Sequence, residues 1–402
     1  MSLEQIVDSL KTPTQSFLVA YLYKDLRNPS GWANLVSELN RINRLDDALV
    51  LGLHAFDLDP QSAHVNFCLA CTYDLLGQDD KAEELFERAY KFNPNLPELE
   101  RGMSGFYLSR ERFTEGAKHF YKRLSEKHGR PRTKPTWDGE DGRVLVTAEQ
   151  GIGDQILFLT AELPENCIIE SDARLCPLVG RFLLKQTLAV PGLGTLSTPL
   201  TTTPFDYQIS AGELFLRNYL KPKRQWLSGI MAEAKIMRET YKKASLGKPV
   251  IGLSWNSANT FMGQEKSIPL IDFYQIMKIP GPLWLNVQYD GRHQEVAEFN
   301  TATKLLFVSD PEVDHVNNFE SGLKQIAACD FIITVSNTVA HMAGAIGVPV
   351  ALLCPRAQGR LWYWFQGRED SPIYPSMRIF RQDKDFSWDS AIQQAAKFVG
   401  IK

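Results

Sequence analysis

Residues 329–355 read CDFIITVSNTVAHMAGAIGVPVALLCP, and this stretch decides the fold. An apolar run ends at Val335. A Ser336-Asn337-Thr338 turn follows, then a helical stretch of small residues, a Gly347-Val348-Pro349 break and a second apolar run. This order is one strand–helix–strand crossover of a parallel sheet. Its polar residues collect where the first strand hands over to the helix. In open α/β sheets ligands bind at that end, and the amides of a helix start attract anions. The segment therefore predicts a phosphate-bearing ligand held by Ser336, Asn337 and Thr338. His341 lies one helical turn beyond Thr338 and faces the same end; a lone histidine is more often structural, and only its neighbours set this one apart.

Outward from this crossover the same texture continues. From residue 143 short apolar runs alternate with helical stretches, which indicates an α/β body. Expected strands are 143–147, 167–170 and 207–210. After a long polar helix around 226–245 come 250–255, 282–288, 305–308, 331–335, 350–354 and 377–380, with a closing helix near 388–399. Two such series predict two Rossmann-like halves, 143–245 and 246–402, facing each other across a cleft.

The first strand runs into Ala148-Glu149-Gln150-Gly151-Ile152-Gly153-Asp154-Gln155. Gly151 and Gly153 permit a tight strand-to-helix turn and close approach of a ligand to the backbone. A dinucleotide fingerprint requires a third glycine where Ile156 stands, and the Walker A spacing is missing too. Glu170 and Asp172 lie at a distance suited to a ribose-binding acid, so a nicotinamide site survives as the weaker reading. Asp154, at the helix start, is either a cap for first-turn amides or a general base facing the cleft. In the second half the loop SWNSANTFMGQEKSIPL, 254–270, carries Asn256 and Lys266. Lys266 there is either a phosphate ligand or a solvated charge. Gln288, at the end of the 282–288 strand, completes the candidate donor-binding set. No H-x-x-x-H pair, carboxylate cluster with metal spacing or G-x-S-x-G elbow is present, which disfavours metal-dependent and covalent hydrolase chemistry.

The front third is a repeat. Asp59-Pro60 and Asn93-Pro94 each close a helical stretch, and the two prolines are 34 residues apart; Ala48 and Ala82, and Leu35 and Leu69, keep the same interval. Leu69, Ala70, Tyr73, Gly77, Ala82, Phe86, Ala89 and Pro94 occupy tetratricopeptide positions in the second copy. Trp32, Leu35, Ala48, Ala55 and Pro60 do so in the first, and Tyr107, Gly116 and Phe120 in a weaker third that ends near Leu124. Small residues let paired helices approach, aromatics fill the space between them, and each proline ends its helix. The expected layout is a cap over 1–28, repeats over 29–125 and a basic, Pro- and Gly-rich linker over 126–142. Such repeats usually offer a groove to a protein or peptide, with Asn34, Ser37 and Arg41 as groove candidates; the alternative is that they brace the next domain or form a homo-oligomer.

The 402 residues are 44% hydrophobic and 23% charged, ordinary values for a chain of two or three domains. A net charge of −3 supplies no global attraction for nucleic acid or anionic membrane. The start lacks a signal-peptide pattern, and no apolar run approaches the roughly 20 residues of a membrane span. Cys68 and Cys71 form a C-x-x-C, but within an expected helix and with no second ligand pair, so buried thiols in a reducing cytoplasm are expected.

EQGIGDQILF at 149–158, the 254–270 loop, ITVSNTVAHMAGAIGVPVALLCP at 333–355 and REDSPIYPSMRIFRQ at 368–382 together resemble tetratricopeptide-repeat glycosyltransferases. That group is related to the bacterial heptosyltransferases of glycosyltransferase family 9. The resemblance implies a GT-B body and transfer of a sugar from a nucleotide-sugar donor. By that likeness Asp154 is the general base, Lys266 contacts the donor phosphates, and Ser336, Asn337, Thr338 and His341 cradle the diphosphate. Transfer would be inverting, with no metal or other cofactor. The acceptor it suggests is a cytoplasmic protein, flagellin most readily, recruited by the repeats. A lipopolysaccharide or polysaccharide sugar transferase, and a catalytically inactive scaffold, are the alternatives.

Overall fold

The computed structural model describes residues 1–122, 132–190, 203–259, 262–290 and 292–401. It divides into two units, residues 1–123 with 356–363, and residues 124–355 with 364–402.

The first unit is helical: α1 (Leu3–Asp8), α2 (Pro13–Leu22), α3 (Pro29–Arg41), α4 (Leu45–Leu58), α5 (Ala63–Leu76), α6 (Asp79–Phe92), α7 (Leu99–Leu108) and α8 (Phe113–Lys122). The last six form three hairpins, as the 34-residue interval requires. Local chemistry sets their ends. Asn28 caps α3 by accepting from Ser30 N at 3.0 Å, with Pro29 in the first helical position. Gly77, at φ +74°, closes α5 in a left-handed conformation. Ala48 and Ala82 are completely buried, and a Cβ at Gly116 would lie 2.6 Å from Leu108 Cγ, so small residues do bring the paired helices together. Phe86 and Phe106 fill the interior with ring centroids 5.3 Å apart. The expected cap consists of α1 and α2, each opened by a reciprocal capping box. The expected end of the third repeat at Leu124 lies outside the described residues, as does 126–131 of the expected linker.

One feature of this unit has no counterpart in the sequence reading. Residues 356–363, from the C-terminal part of the chain, are built into it. Gln358 N donates to Asn43 Oδ1 at 3.1 Å, and Arg360 pairs with Asp74 at 2.9 Å, the carboxylate that also receives Arg110 at 2.7 Å. Trp362 meets Phe120 edge-on at 6.2 Å.

Among the described residues the second unit holds ten strands: β1 (Val144–Thr147), β2 (Cys167–Asp172), β3 (Gln186–Val190), β4 (Tyr207–Ser210), β5 (Val250–Ser254), β6 (Leu283–Asn286), β7 (Phe307–Val308), β8 (Phe331–Val335), β9 (Val350–Cys354) and β10 (Met377–Arg381). They form two sheets ordered β3-β2-β1-β4 and β10-β9-β8-β5-β6-β7, with every pairing parallel. Strands covered on both faces have no polar side to show, which is why VLVT, VIGLS and VALLC read as unbroken apolar runs. Beneath the larger sheet, Trp255, Phe273, Trp284 and Phe307 pack with Ile392 and Ala395 of the closing helix Asp389–Phe398. The architecture is the expected helical repeat region with a body of two Rossmann-like halves.

Three details differ from expectation. Strand β3, an edge strand that opens on the polar pair Gln186-Thr187, was not foreseen. The polar helix around 226–245 is two helices, Ile230–Glu233 and Lys235–Ala244, meeting at Ala234. The later part of the linker is zipped to the edge of β4, where Gln208 N donates to Pro135 O at 3.0 Å and Trp137 N to Gln208 O at 3.2 Å. Among the described residues no helix is long and apolar enough to cross a membrane.

In both sheets the strand order reverses once, at β1/β4 and at β5/β8. The loops leaving those strands are where a crevice for ligand forms.

Candidate functional site

The crevice of the larger sheet is built by a relay of side-chain amides and a hydroxyl. Asn337 Nδ2 donates to Ser254 Oγ at 2.8 Å, and Ser254 Oγ donates in turn to Gln288 Oε1 at 2.8 Å. The Gln288 carboxamide oxygen also receives Trp255 N and Asn256 N, while its nitrogen and that of Asn337 both donate to Asn256 O at 3.0 and 2.9 Å. Asn337 Oδ1 caps the Thr338–Ile346 helix by accepting from Val339 N at 2.9 Å, and it accepts Thr334 Oγ1 at 3.1 Å. Asn337 and Gln288 were expected to meet a donor directly. As placed, both amides are committed to tying the ends of β5, β6 and β8 together, so they shape the crevice. Ser336 is buried and accepts from Trp364 Nε1 at 2.7 Å. Thr338, the first residue of the helix, is half-buried.

Lys266 ends a single turn, Gly263–Lys266, that folds the 254–270 loop back on itself. A Cβ at Gly263 would lie 2.4 Å from Ser257 O, so only glycine fits there. Lys266 is 5% exposed, and its ammonium has no hydrogen bond or ion pair among the described residues. Burial lowers its pKa, and the nearby Asp154 carboxylate works in the opposite direction. A desolvated ammonium of this kind is suited to a bound anion.

The turn from the smaller sheet meets this crevice. Asp154, in the helix α9 (Ile152–Phe158), accepts from Gly151 N at 3.1 Å, so the cap geometry is the one adopted. The carboxylate is half-buried. The two glycines differ. Gly151 has an ordinary extended φ of −76°, and the left-handed residue of the turn is Gln150 at φ +60°. Gly153 is required by packing, because a Cβ there would be 2.8 Å from His341 Cδ2. Glu149 ties this turn to the next one, accepting from Gly212 N at 2.6 Å. Trp226 Nε1 donates to Ile156 O at 3.1 Å, and Leu227 N to Ala345 O at 3.1 Å, which links α9 to the Thr338–Ile346 helix.

His341 is 2% exposed and stacks on Trp364 at 5.0 Å, with its Nδ1 3.1 Å from the Tyr374 hydroxyl. Burial, with a smaller contribution from Lys266, pushes its pKa down to about 3, so the imidazole is neutral. The structure thus brings Asp154, Gly153, Lys266 and His341 near one another, with Gly151 exposed beside Asp154 and Thr338 one turn before His341 on its helix. Trp364, Tyr374 and Glu149 were missed as site residues. Tyr374 lies within the 368–382 motif, whereas Trp364, in the aromatic run Trp362–Trp364, falls between the motifs quoted above.

The groove candidates lie in the other unit, on α3. Ser37 and Arg41 are exposed and Asn34 half-buried; Ser37 Oγ is 3.2 Å from Cys68 Sγ, and Arg41 pairs with Glu38 at 2.8 Å. Burial pushes the Cys68 thiol up to about 11 and Cys71 well above its ordinary value, which keeps both protonated.

No protein-family model matches the chain. Protein FlbA of Caulobacter vibrioides is 27% identical over 293 residues, 65% of this chain and 47% of that protein. The chain therefore spans about half the length of the curated relative it matches. Among solved structures, the ADP-heptose lipopolysaccharide heptosyltransferase II of E. coli is 14% identical with a TM-score of 0.44, over 64% of this chain and 97% of that one. A glycosyl transferase family 9 protein from Veillonella parvula is 13% identical with a TM-score of 0.42, over 66% and 98%.

Proposed function

We propose that the chain is a glycosyltransferase that moves a sugar from a nucleotide-sugar donor to a hydroxyl of a protein acceptor recruited by the repeats. The observation that carries this reading is Lys266, a buried side chain near Asp154 and the neutral His341, the latter in the first turn of a nine-residue helix. A diphosphate matches that charge and those amides. In the proposed reaction Asp154 leaves the Gly151 amide and takes the proton of the acceptor hydroxyl. The acceptor oxygen then bonds to the anomeric carbon as the bond from that carbon to the phosphate oxygen breaks, with inversion. The nucleoside diphosphate leaves with its charge met by Lys266, Ser336, Thr338 and the helix start, so that these groups do the work a divalent cation does elsewhere. Flagellin, in the cytoplasm, is the acceptor the sequence resemblance favours.

The test is a thermal-shift screen of the full chain against nucleotides and nucleotide sugars, followed by transfer assays with the binding donor and a flagellin acceptor. Stabilisation by a nucleotide sugar and labelled protein are expected. A panel in which no nucleotide or nucleotide sugar binds sinks the reading, and transfer to a glycolipid but not to protein replaces the acceptor.

A further inference from the structure

The geometry points to Tyr374 as a positioning residue: its phenolic O–H donates to His341 Nδ1 and holds the imidazole as the Nε2–H tautomer, presenting an N–H donor at the Gly151–Asp154 turn. Three contacts fix the two rings. The Tyr374 hydroxyl is 3.1 Å from His341 Nδ1, with ring planes at 69°. Trp364 stacks on the imidazole at 25°, so the ring cannot turn freely. Gly344, one helical turn after His341, makes room for the tyrosine, since a Cβ there would lie 2.5 Å from Tyr374 Cγ.

The direction of the bond follows from accounting for one hydrogen. Tyr374 is completely buried, and His341 Nδ1 is the acceptor the described residues give its hydroxyl. A buried O–H without an acceptor is rare and unfavourable. A neutral imidazole has one N–H and one bare nitrogen, so a phenol that donates to Nδ1 leaves the proton on Nε2. The reverse arrangement, Nδ1–H donating to the phenol, strands the phenolic hydrogen. The strong downward pKa shift of His341 from burial agrees with a neutral ring. Its Nε2 edge faces the other half, 3.4 Å from where a Gly153 Cβ would stand. If the site binds a nucleotide sugar as proposed, on which this role in transfer rests, that N–H is aimed to meet an oxygen of the departing phosphate. The tautomer itself does not depend on that reading.

The test is a two-bond proton–nitrogen correlation spectrum of the full chain labelled with nitrogen-15 histidine, compared with Tyr374→Phe, which keeps the ring against Gly344. The wild type is expected to show a histidine with bare Nδ1 and protonated Nε2 that does not titrate between about pH 6 and 8. In the variant that residue shifts toward the other tautomer while thermal melting confirms the fold. With a donor, kcat falls about tenfold and KM stays within about twofold, the scale of one lost hydrogen bond. Should the variant not fold, wild type carrying 3-fluorotyrosine, a stronger donor, is expected to move the same Nδ1 resonance. A protonated Nδ1 in that residue, or a pattern unchanged by both phenol substitutions, overturns the proposal. Absence of turnover with every nucleotide sugar leaves the spectra decisive and counts against the transferase reading instead.

Discussion

Gly153 and His341, from different halves of the α/β unit, are in van der Waals contact across the crevice, and the hydrogen of the glycine is the largest side chain that fits. The first expectation concerns this contact. Gly153→Ala forces the imidazole or α9 to shift. Overpacking of this kind costs about 1–3 kcal/mol. Calorimetry should report a lower Tm, and donor titration a weaker Kd, both from a single added methyl group.

Asp154→Asn separates capping from catalysis. The asparagine oxygen can still accept from Gly151 N, so the melting temperature should stay within about two degrees, the range of minor surface changes. Loss of a positioned base removes roughly 10²–10⁴ in rate. Stopped transfer assays at saturating donor check this, and full activity in the variant assigns the base elsewhere.

Lys266→Met should move stability and binding in opposite directions. A desolvated cation is replaced by an apolar chain of similar length, so Tm rises, whereas donor affinity falls about 10- to 100-fold for a lost charged hydrogen bond. Parallel melting curves and isothermal titration measure both. A lower Tm together with an unchanged Kd contradicts the assignment of Lys266 as an anion ligand.

Acid stability provides a further check. His315, buried beside Gln325 and near Asp310, Asp314 and His293, has its pKa pushed down to about 4 by desolvation. His341 is lowered to about 3. Both are bases with depressed folded values, so between those values and the unfolded 6.5 the unfolded chain binds more protons. Stability therefore rises with pH across that window and falls as acid is added, at about 1.4 kcal/mol per pH unit of displacement for each group. Urea midpoints measured from about pH 7 to 4 should decline, and His315→Gln should flatten the decline.

Much of this site was legible in the chain. Strands β5, β8 and β9 announced themselves because a strand covered on both faces must be apolar throughout, and the 34-residue interval fixed the hairpins because Ala48, Ala82 and Gly116 sit where helices touch. Chemistry at strand ends was visible as residue type but not as role. Asn337 and Gln288 carry the same amides whether they bind a ligand or brace a loop, and only the positions of Ser254 and Asn256 O decide between these. Tyr374 and Trp364 escaped because they reach His341 through contacts 33 and 23 residues away in sequence, for which no local period exists. Gln150, not a glycine, holds the left-handed conformation of the β1 turn, and nothing in its side chain signals that.

The eight residues 356–363 give the chain a non-consecutive anatomy. Cutting it near residue 125 to obtain a repeat-free enzyme would leave Arg360 without Asp74 and Trp362 without Phe120, and the freed repeats would lose a strap that bridges Asn43 to α8. Dissection by truncation would thus injure both fragments, and defects in either would be mistaken for lost recruitment. Point substitutions at Ser37 or Arg41, on the exposed face of α3, are the cleaner instrument.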